Sequence, residues 1–443
     1  MGHVLIVPAR VRRVPFVHVE LARRLVEAGH EVTFAGNTES RSAAEDAGAI
    51  FVELQGLALH EWTPPVGSKA QRLIRLLPEL RRRRAHLAEQ AARFDAPWAQ
   101  QLCRDRAPDL VVSDLENMTQ MLAARAEGIE VVATTTWPQP FKRRGNPPPH
   151  LPIVPGDGLV GTALGIEVAW LRFRLRKVVQ AAYTWVRDAG VDLRSIHHHI
   201  ARSVGLAPRT AFDHGQWMLP MNCDVPTLGL SSASLDLPGP DHPRFVRSIG
   251  IVGDPDPARV DDDLAEFLAT NAGSDRPLVY VATGSFLDDE AFLRRAIEAV
   301  AGRPEWGVVV GLGSRRLEIE VPDHVRLLDF APQLEVLAAA DVAVLHGGSN
   351  SIHEAVRLGV PIVSYPYPDF LDQAGNAVRV AVAGVGIVGA RSESAAQIAD
   401  RIASVLGDSA FADHARAKRA EMEAEEAANP IVGLIESFLP TRA

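Results

Sequence analysis

The stretch Val342-Ala-Val-Leu345-His346-Gly347-Gly348-Ser349-Asn350-Ser351-Ile352-His353-Glu354 decides how this sequence folds. Four apolar residues make a buried strand, two glycines a sharp turn, and Asn350 or Ser351, both good N-cap residues, open a helix. A helix N-terminus presents free N–H groups, and small side chains let a phosphate approach them. His346 can then donate to a phosphate oxygen. Glu354, one turn into the helix, can accept from two hydroxyls of a ribose. A plain strand-to-helix turn accounts for the glycines but not for His, Asn, Ser and Glu together.

The same alternation extends in both directions. Towards the C-terminal half, strands are predicted at 278–283, 307–311, 325–328, 342–345 and 361–365, with helices at about 289–300, 334–339, 350–358 and 373–383. Near the start, Val4 to Val7 is a strand, Pro15 to Ala28 an amphipathic helix closed by Gly29, and Glu31 to Ala35 a second strand. Strands at 110–113 and 131–135 flank a helix at 119–127. Alternating strands and helices give parallel sheets covered on both faces. The fold class is therefore α/β, with two doubly wound domains. Residues 1–250 form the first, 251–263 a Gly-, Pro- and Asp-rich linker, 264–430 the second, and 431–443 a closing segment. Such domains bind ligands in the crevice at the carboxyl ends of their strands.

Composition narrows the class further. The chain has 443 residues, 47% hydrophobic and 23% charged, which excludes disordered, collagen-like and coiled-coil proteins. Its net charge of −9 argues against a general nucleic-acid binder. That total divides unevenly, +5 over residues 1–250 and −14 over 251–443. Two cysteines, Cys103 and Cys223, make no disulfide framework and no zinc module. The apolar start runs directly into Arg10, Arg12 and Arg13, the wrong order for a signal peptide. With no apolar run of about 18 residues, no membrane-spanning helix is expected and the cytoplasm is the expected compartment.

Two smaller elements join the central turn. Thr283-Gly284-Ser285 ends a strand in a loop that can touch phosphate. Pro368-Asp-Phe-Leu-Asp372-Gln373 follows another, and there Asp372 and Gln373 can cap the next helix or read sugar hydroxyls.

Together these pieces resemble the family 1 glycosyltransferases, the UDP-glycosyltransferases of GT-B fold, of bacterial small-molecule type. The likeness runs through Phe330-Ala-Pro332-Gln333 (family W-x-P-Q) and His346 to Glu354 (H-x-G-x-N-S-x-x-E). It continues through Gly359-Val-Pro361, Pro368 to Gln373 (P-x-x-x-[DE]-Q) and Asn376-Ala377. It is looser at Leu21 to Leu25, Gly29 to Val32, Pro108 to Val112 and Gly284-Ser285.

The resemblance implies an inverting transfer from a UDP- or dTDP-sugar to a small-molecule acceptor, possibly acidic or lipid-like, with no metal or other cofactor. It places Phe330 under the nucleobase and Gln333 beside it. Glu354 would hold the ribose; His346, Gly348, Asn350, Ser351 and Ser285 the diphosphate; Asp372 and Gln373 the donor sugar. The first domain would hold the acceptor, and the last helix, about 431–438, would cross back to it.

One family feature is absent. The catalytic His, about three residues before a Pro in the loop after the first strand, is replaced by Arg12 or Val14, depending on the alignment. Arg stays charged and takes no proton. The candidates are then Arg12 and Arg13, as a clamp for an acidic acceptor, with His18 and Asp114 as bases for a neutral one. Asn117 and Thr119 occupy the stretch where the family's His-orienting Asp falls. Two other readings stay open: a catalytically inactive homologue that binds nucleotide or assists another transferase, and an epimerase of sugar nucleotides.

Other features read as structural. Gly384-Val-Gly386-Ile-Val-Gly389 fits a dinucleotide fingerprint but follows a helix. His197-His198-His199 reads as a solvated helix face, Asp261-Asp262-Asp263 as linker charge, Asn117-Met-Thr119 as a chance glycosylation sequon, and Arg81 to Arg84 as an exposed helix. Residues 159–187 form a long helical stretch. Its Arg172, Arg174, Arg176 and Lys177 read as a solvated face beside a core face, with peripheral contact to a membrane surface as the alternative.

Overall fold

Unbroken apolar runs such as Val4 to Val7 and Val342 to Leu345 need cover on both faces, and the computed structural model gives it to them. It describes residues 1–9, 15–57, 82–217, 225–248, 260–272, 276–284, 289–313, 315, 317–367, 371–428 and 430–440.

The first sheet has seven parallel strands: β1 (His3–Val7), β2 (Glu31–Gly36), β3 (Ile50–Glu53), β4 (Leu110–Asp114), β5 (Glu130–Thr135), β6 (Thr227–Leu230) and β7 (Phe245–Ser248). Their order is β3-β2-β1-β4-β5-β6-β7. The second has six: β8 (Leu278–Ala282), β9 (Gly307–Gly311), β10 (Val325–Leu328), β11 (Val342–Leu345), β12 (Ile362–Ser364) and β13 (Gly386–Val388). Their order is β10-β9-β8-β11-β12-β13. Each sheet reverses its winding beside its own first strand, between β1 and β4 and between β8 and β11. The crevice at such a reversal is where doubly wound sheets take ligands.

Helices cover both faces. The Phe16–Glu27 helix buries Leu21, Ala22 and Leu25 against Val4, Ile6 and Phe34. On the opposite face, the 96–106, 118–126 and 193–203 helices cover Leu5, Val111 and Val131. The second sheet is covered likewise, with Ile352 and Val356 on one side and Ile297, Ile398 and Ile402 on the other.

The closing segment leaves the second domain. The Ser409–Ala428 helix runs into Ile431–Glu436, whose Ile431 and Ile435 complete the core around Val4, Ile6 and Leu25. Arg24 pairs with Glu426 at 2.5 Å, and His30 meets Glu436 at 3.1 Å. Two further links hold the domains together. Asp236, its side chain 6% exposed, accepts from the buried Arg143 and from the buried Arg379 of the second domain, each at 2.8 Å. Glu425 accepts from Ser232 Oγ at 2.6 Å and from the Ala233 and Ser234 amides at 3.1 and 2.9 Å.

Several expectations change. Residues 136–250, for which the sequence pattern gives no strand, contain β6 and β7, four residues each and too short for a clear pattern. The Gly386 segment is the edge strand β13. Asp261 to Asp263 open a helix: Asp261 Oδ1 accepts from Leu264 N at 2.9 Å, and Asp262 and Asp263 lie in the first turn, favourable against the helix dipole. The helix therefore begins inside the stretch read as linker, whose residues 251–259 lie outside the described residues.

His197 is not solvated; it is buried against Phe94 and Phe212 because its helix turns Ile196, His197 and Ile200 inward. Among the described residues no three His, Cys, Asp or Glu side chains converge as a metal site. The Ala163–Arg187 helix has a short core face, Ile166 and Trp170 with Phe173 against Trp217, and leaves its other large apolar side chains exposed.

Candidate active site

The turn after β11 begins in register. Leu345 pairs with Ala282 of β8, so His346 and Thr283 leave the two central strands side by side. Gly284 has φ +75°, and a Cβ there would come within 2.7 Å of His346 Nε2. Glycine is needed for the backbone and for room beside the ring. Gly347 has φ +86° and passes 2.8 Å, measured from a built Cβ, from the Gln373 carbonyl.

The helix starts at Ser349 with Gly348 as N-cap, one or two residues before the expected start, so neither Asn350 nor Ser351 is the cap. No side chain caps it. Its first-turn N–H groups therefore point into the crevice as anion donors. His346 Nδ1 and Thr283 Oγ1 are buried polar atoms without a hydrogen-bond partner. Burial pushes the His346 pKa down to about 4, and Arg391 and Arg315 add to this, so the ring is neutral at pH 7.

A polar network lies one turn further on. Tyr280 Oη donates to Gln333 Oε1 at 3.1 Å; Gln333 Nε2 donates to Ser351 Oγ at 3.2 Å and to Glu354 Oε2. Burial raises the Glu354 pKa to about 7, against the bond from Gln333 and with the help of Glu335. Phe330, three residues before Gln333, is 55% exposed, an aromatic face open to a flat ligand. Tyr280 was not foreseen, because a tyrosine inside an apolar run reads as core.

Asp372 and Gln373 start the Gln373–Val382 helix, with Asp372 at the N-cap position. The expected capping is absent. Asp372 Oδ2 accepts from Asn376 Nδ2 at 2.9 Å, and the same amide donates to the Gly347 carbonyl at 2.9 Å. Asn376 thus ties Asp372 to the turn at Gly347. Gln373 Oε1 accepts from Tyr367 N at 3.1 Å. Burial raises the pKa of Asp372.

This face meets the first domain across a cleft lined by Pro138, Ser232, Asp236, Ser349, His353, Asn376 and Arg379 among others. Ser349 Oγ donates to the Thr136 carbonyl, and Ser232 N donates to His353 Nε2 at 3.3 Å.

On the first-domain side, His18 is buried in the first turn of its helix, with Nε2 2.9 Å from Thr134 Oγ1. Burial lowers its pKa to about 4. Thr134 is the strand partner of Asp114, so the imidazole and the carboxyl flank one threonine. Burial, then the Glu116 charge, hold Asp114 well above the usual carboxylate range. Asn117, buried rather than a sequon on the surface, donates to the Val7 and Pro8 carbonyls at 3.1 and 2.7 Å and fixes the end of β1. Arg12, Arg13 and Ser285 lie outside the described residues.

Two Rossmann-like domains facing a cleft, with a glycine turn and an uncapped helix start at the winding reversal of the second, define the GT-B class. The glycosyltransferase of kitacinnamycin superposes with TM-score 0.70 at 21% identity over 99% of both chains. The calicheamicin glycosyltransferase CalG4 does so with TM-score 0.65 at 18% identity, over 100% of this chain and 99% of that one. Residues 299–438 match the erythromycin biosynthesis protein CIII-like C-terminal domain. Oleandomycin glycosyltransferase of Streptomyces antibioticus is 31% identical over 217 residues, 45% of this chain and only half of that protein. The 4'-demethylrebeccamycin synthase of Lentzea aerocolonigenes is 28% identical over 433 residues, 95% and 96% of the two chains. The likeness is thus to glycosyltransferases of bacterial natural products, in fold along the whole chain and in sequence family over residues 299–438.

Proposed function

We propose that the protein transfers a sugar from a UDP- or dTDP-linked donor to a small natural-product acceptor, with inversion, without a metal, and in the cytoplasm. One observation carries the reading. The uncapped start of the Ser349–Arg357 helix and the unpartnered His346 nitrogen lie beside the Gln333–Ser351–Glu354 network, an anion site joined to a hydroxyl acceptor. The relatives named for oleandomycin and rebeccamycin support a natural product as acceptor.

In this reading Phe330 covers the base, Glu354 holds the ribose, and the helix start, with His346, Asn350, Ser351 and Ser285, holds the diphosphate. Asp372 and Gln373 hold the sugar. The acceptor oxygen bonds to the anomeric carbon as the bond from that carbon to the diphosphate oxygen breaks. Helix N–H groups and His346 stabilise the charge that develops on the leaving diphosphate. An acceptor carboxylate or phosphate, already ionised, is held by Arg12 and Arg13 and gives up no proton. A neutral hydroxyl passes its proton to His18 or Asp114.

The test is nucleoside diphosphate release from donor plus candidate acceptors, with calorimetry of diphosphate binding. His346→Ala and Glu354→Ala should each weaken binding about tenfold or more, since charge-assisted hydrogen bonds contribute roughly 1.5–3 kcal/mol each. Unchanged affinity in both variants refutes the site. A chelator should leave turnover intact. Binding without release for any acceptor would favour an inactive homologue, the reading that the missing family histidine supports.

A further inference from the structure

The Ala163–Arg187 helix carries its apolar residues on the outside. Leu164 is 74% exposed and Leu171, Leu175, Val178 and Val179 are each more than half exposed. The short Gly158–Gly161 helix before it adds Leu159 at 89%. This surface is on the order of 1,000 Å², well beyond the few hundred Å² usual for a monomer's patches.

At 100° per residue, the exposed aliphatic positions from Leu164 to Val186 span an arc of about 100°. Arg172 and Arg176 flank one edge of the arc and Arg174 the other. All three are exposed, and no carboxylate among the described residues pairs with them. Glu167, the one acidic residue on the helix, is taken by Lys142 at 2.5 Å. Tyr183 and Trp185, also exposed, supply amphipathic rings at one end.

We infer that this helix, with the short one before it, docks in the plane of an anionic membrane surface. An apolar face a few ångströms deep, arginines on both edges and aromatic rings at the boundary are what such a surface selects. The arc is too wide for pairing with a single helix. Val179 and Val186 fall outside the 3.5-residue seam that runs through Leu164, Val168, Leu171, Leu175 and Val178. A second copy fits worse, because it would set arginine edge against arginine edge. Among the described residues no helix is long and apolar enough to cross a membrane, so the contact is peripheral.

The experiment is co-sedimentation of the full chain with vesicles of mixed phosphatidylglycerol and phosphatidylcholine, against pure phosphatidylcholine. Binding should need the anionic lipid and weaken steeply with salt. Arg172→Gln, Arg174→Gln and Arg176→Gln together should cut partitioning on the order of a hundredfold at low salt. Leu171→Glu with Leu175→Glu should abolish it. Both variants should keep the wild-type thermal transition and nucleotide affinity, because none of these residues touches the donor cleft. An environment-sensitive dye on Val178→Cys should shift to the blue when anionic vesicles are added. The inference is overturned if the wild-type chain stays in the supernatant, if the arginine variant partitions equally, or if the dye does not respond. A dimer in sedimentation velocity that the glutamate variant dissolves would assign the face to a second copy instead.

Discussion

If Glu354 holds the donor's ribose as proposed, donor binding is a function of pH. In the free protein burial puts its pKa at about 7, so the carboxyl is half protonated at neutrality. Ribose hydroxyls donate to the ionised form, so ligand binding favours loss of that proton and lowers the pKa. Affinity must then rise with pH and level off above 7. If only the ionised form binds well, about 90% of sites are competent at pH 8 and about 10% at pH 6, a roughly tenfold change or 1.4 kcal/mol. His346 works in the opposite direction, but its free ring, with a pKa of about 4, is neutral across this range. The measurement is calorimetry of an intact nucleotide sugar, whose diphosphate diester keeps a constant charge from pH 6 to 8. Glu354→Gln should flatten the profile. A wild-type affinity independent of pH, or the same slope in Glu354→Gln, refutes the assignment of Glu354 to the ribose.

Gly284→Ala should displace the His346 ring, because the new methyl would lie 2.7 Å from Nε2, and calorimetry should show weakened diphosphate binding with the fold retained. Asp236→Ala removes the carboxylate shared by two buried guanidinium groups, leaving Arg143 with Asp241 at 3.5 Å and Arg379 with the Gly375 carbonyl, and should cost about 3–5 kcal/mol in urea titration; the double variant with Arg379→Ala should lose less than the sum of the singles. Under the acidic-acceptor reading, Arg12→Ala and Arg13→Ala should raise acceptor KM or abolish turnover, while His18→Ala leaves kcat nearly unchanged. A fall of about 10²-fold in kcat for His18→Ala would instead make His18 the base.

The turn after β11 and its neighbours were legible because their parts are local. His346 to Glu354 is one strand end and one helix start, and the strand pattern on either side sets the register that brings Thr283 alongside. Errors there were of one or two residues at the helix start, where Gly348 rather than Asn350 takes the cap. The joint between the domains was not legible. Asp236 and Arg379 are 143 residues apart, and each alone reads as an ordinary surface charge. His197 was misread for a related reason: a run of three histidines looks polar, but helical geometry turns one of them into the core. The long basic helix shows the converse. Its apolar positions have the period of a core face, and only the packing reveals that nothing in the described chain covers them. The acceptor loop stayed unread, since Arg12 and Arg13 stand where the family pattern has a base.

The crossing of the closing helix sets the order in which the molecule can be completed during synthesis. Ile431 and Ile435 belong to the core built on Val4, Ile6 and Leu25, so the first domain to leave the ribosome is the last to be finished. At 5–20 residues per second, the roughly 180 residues in between take about 10–40 s to make. Throughout that interval the core around Val4, Ile6 and Leu25 waits without Ile431 and Ile435, an apolar edge available to chaperones and to neighbouring nascent chains.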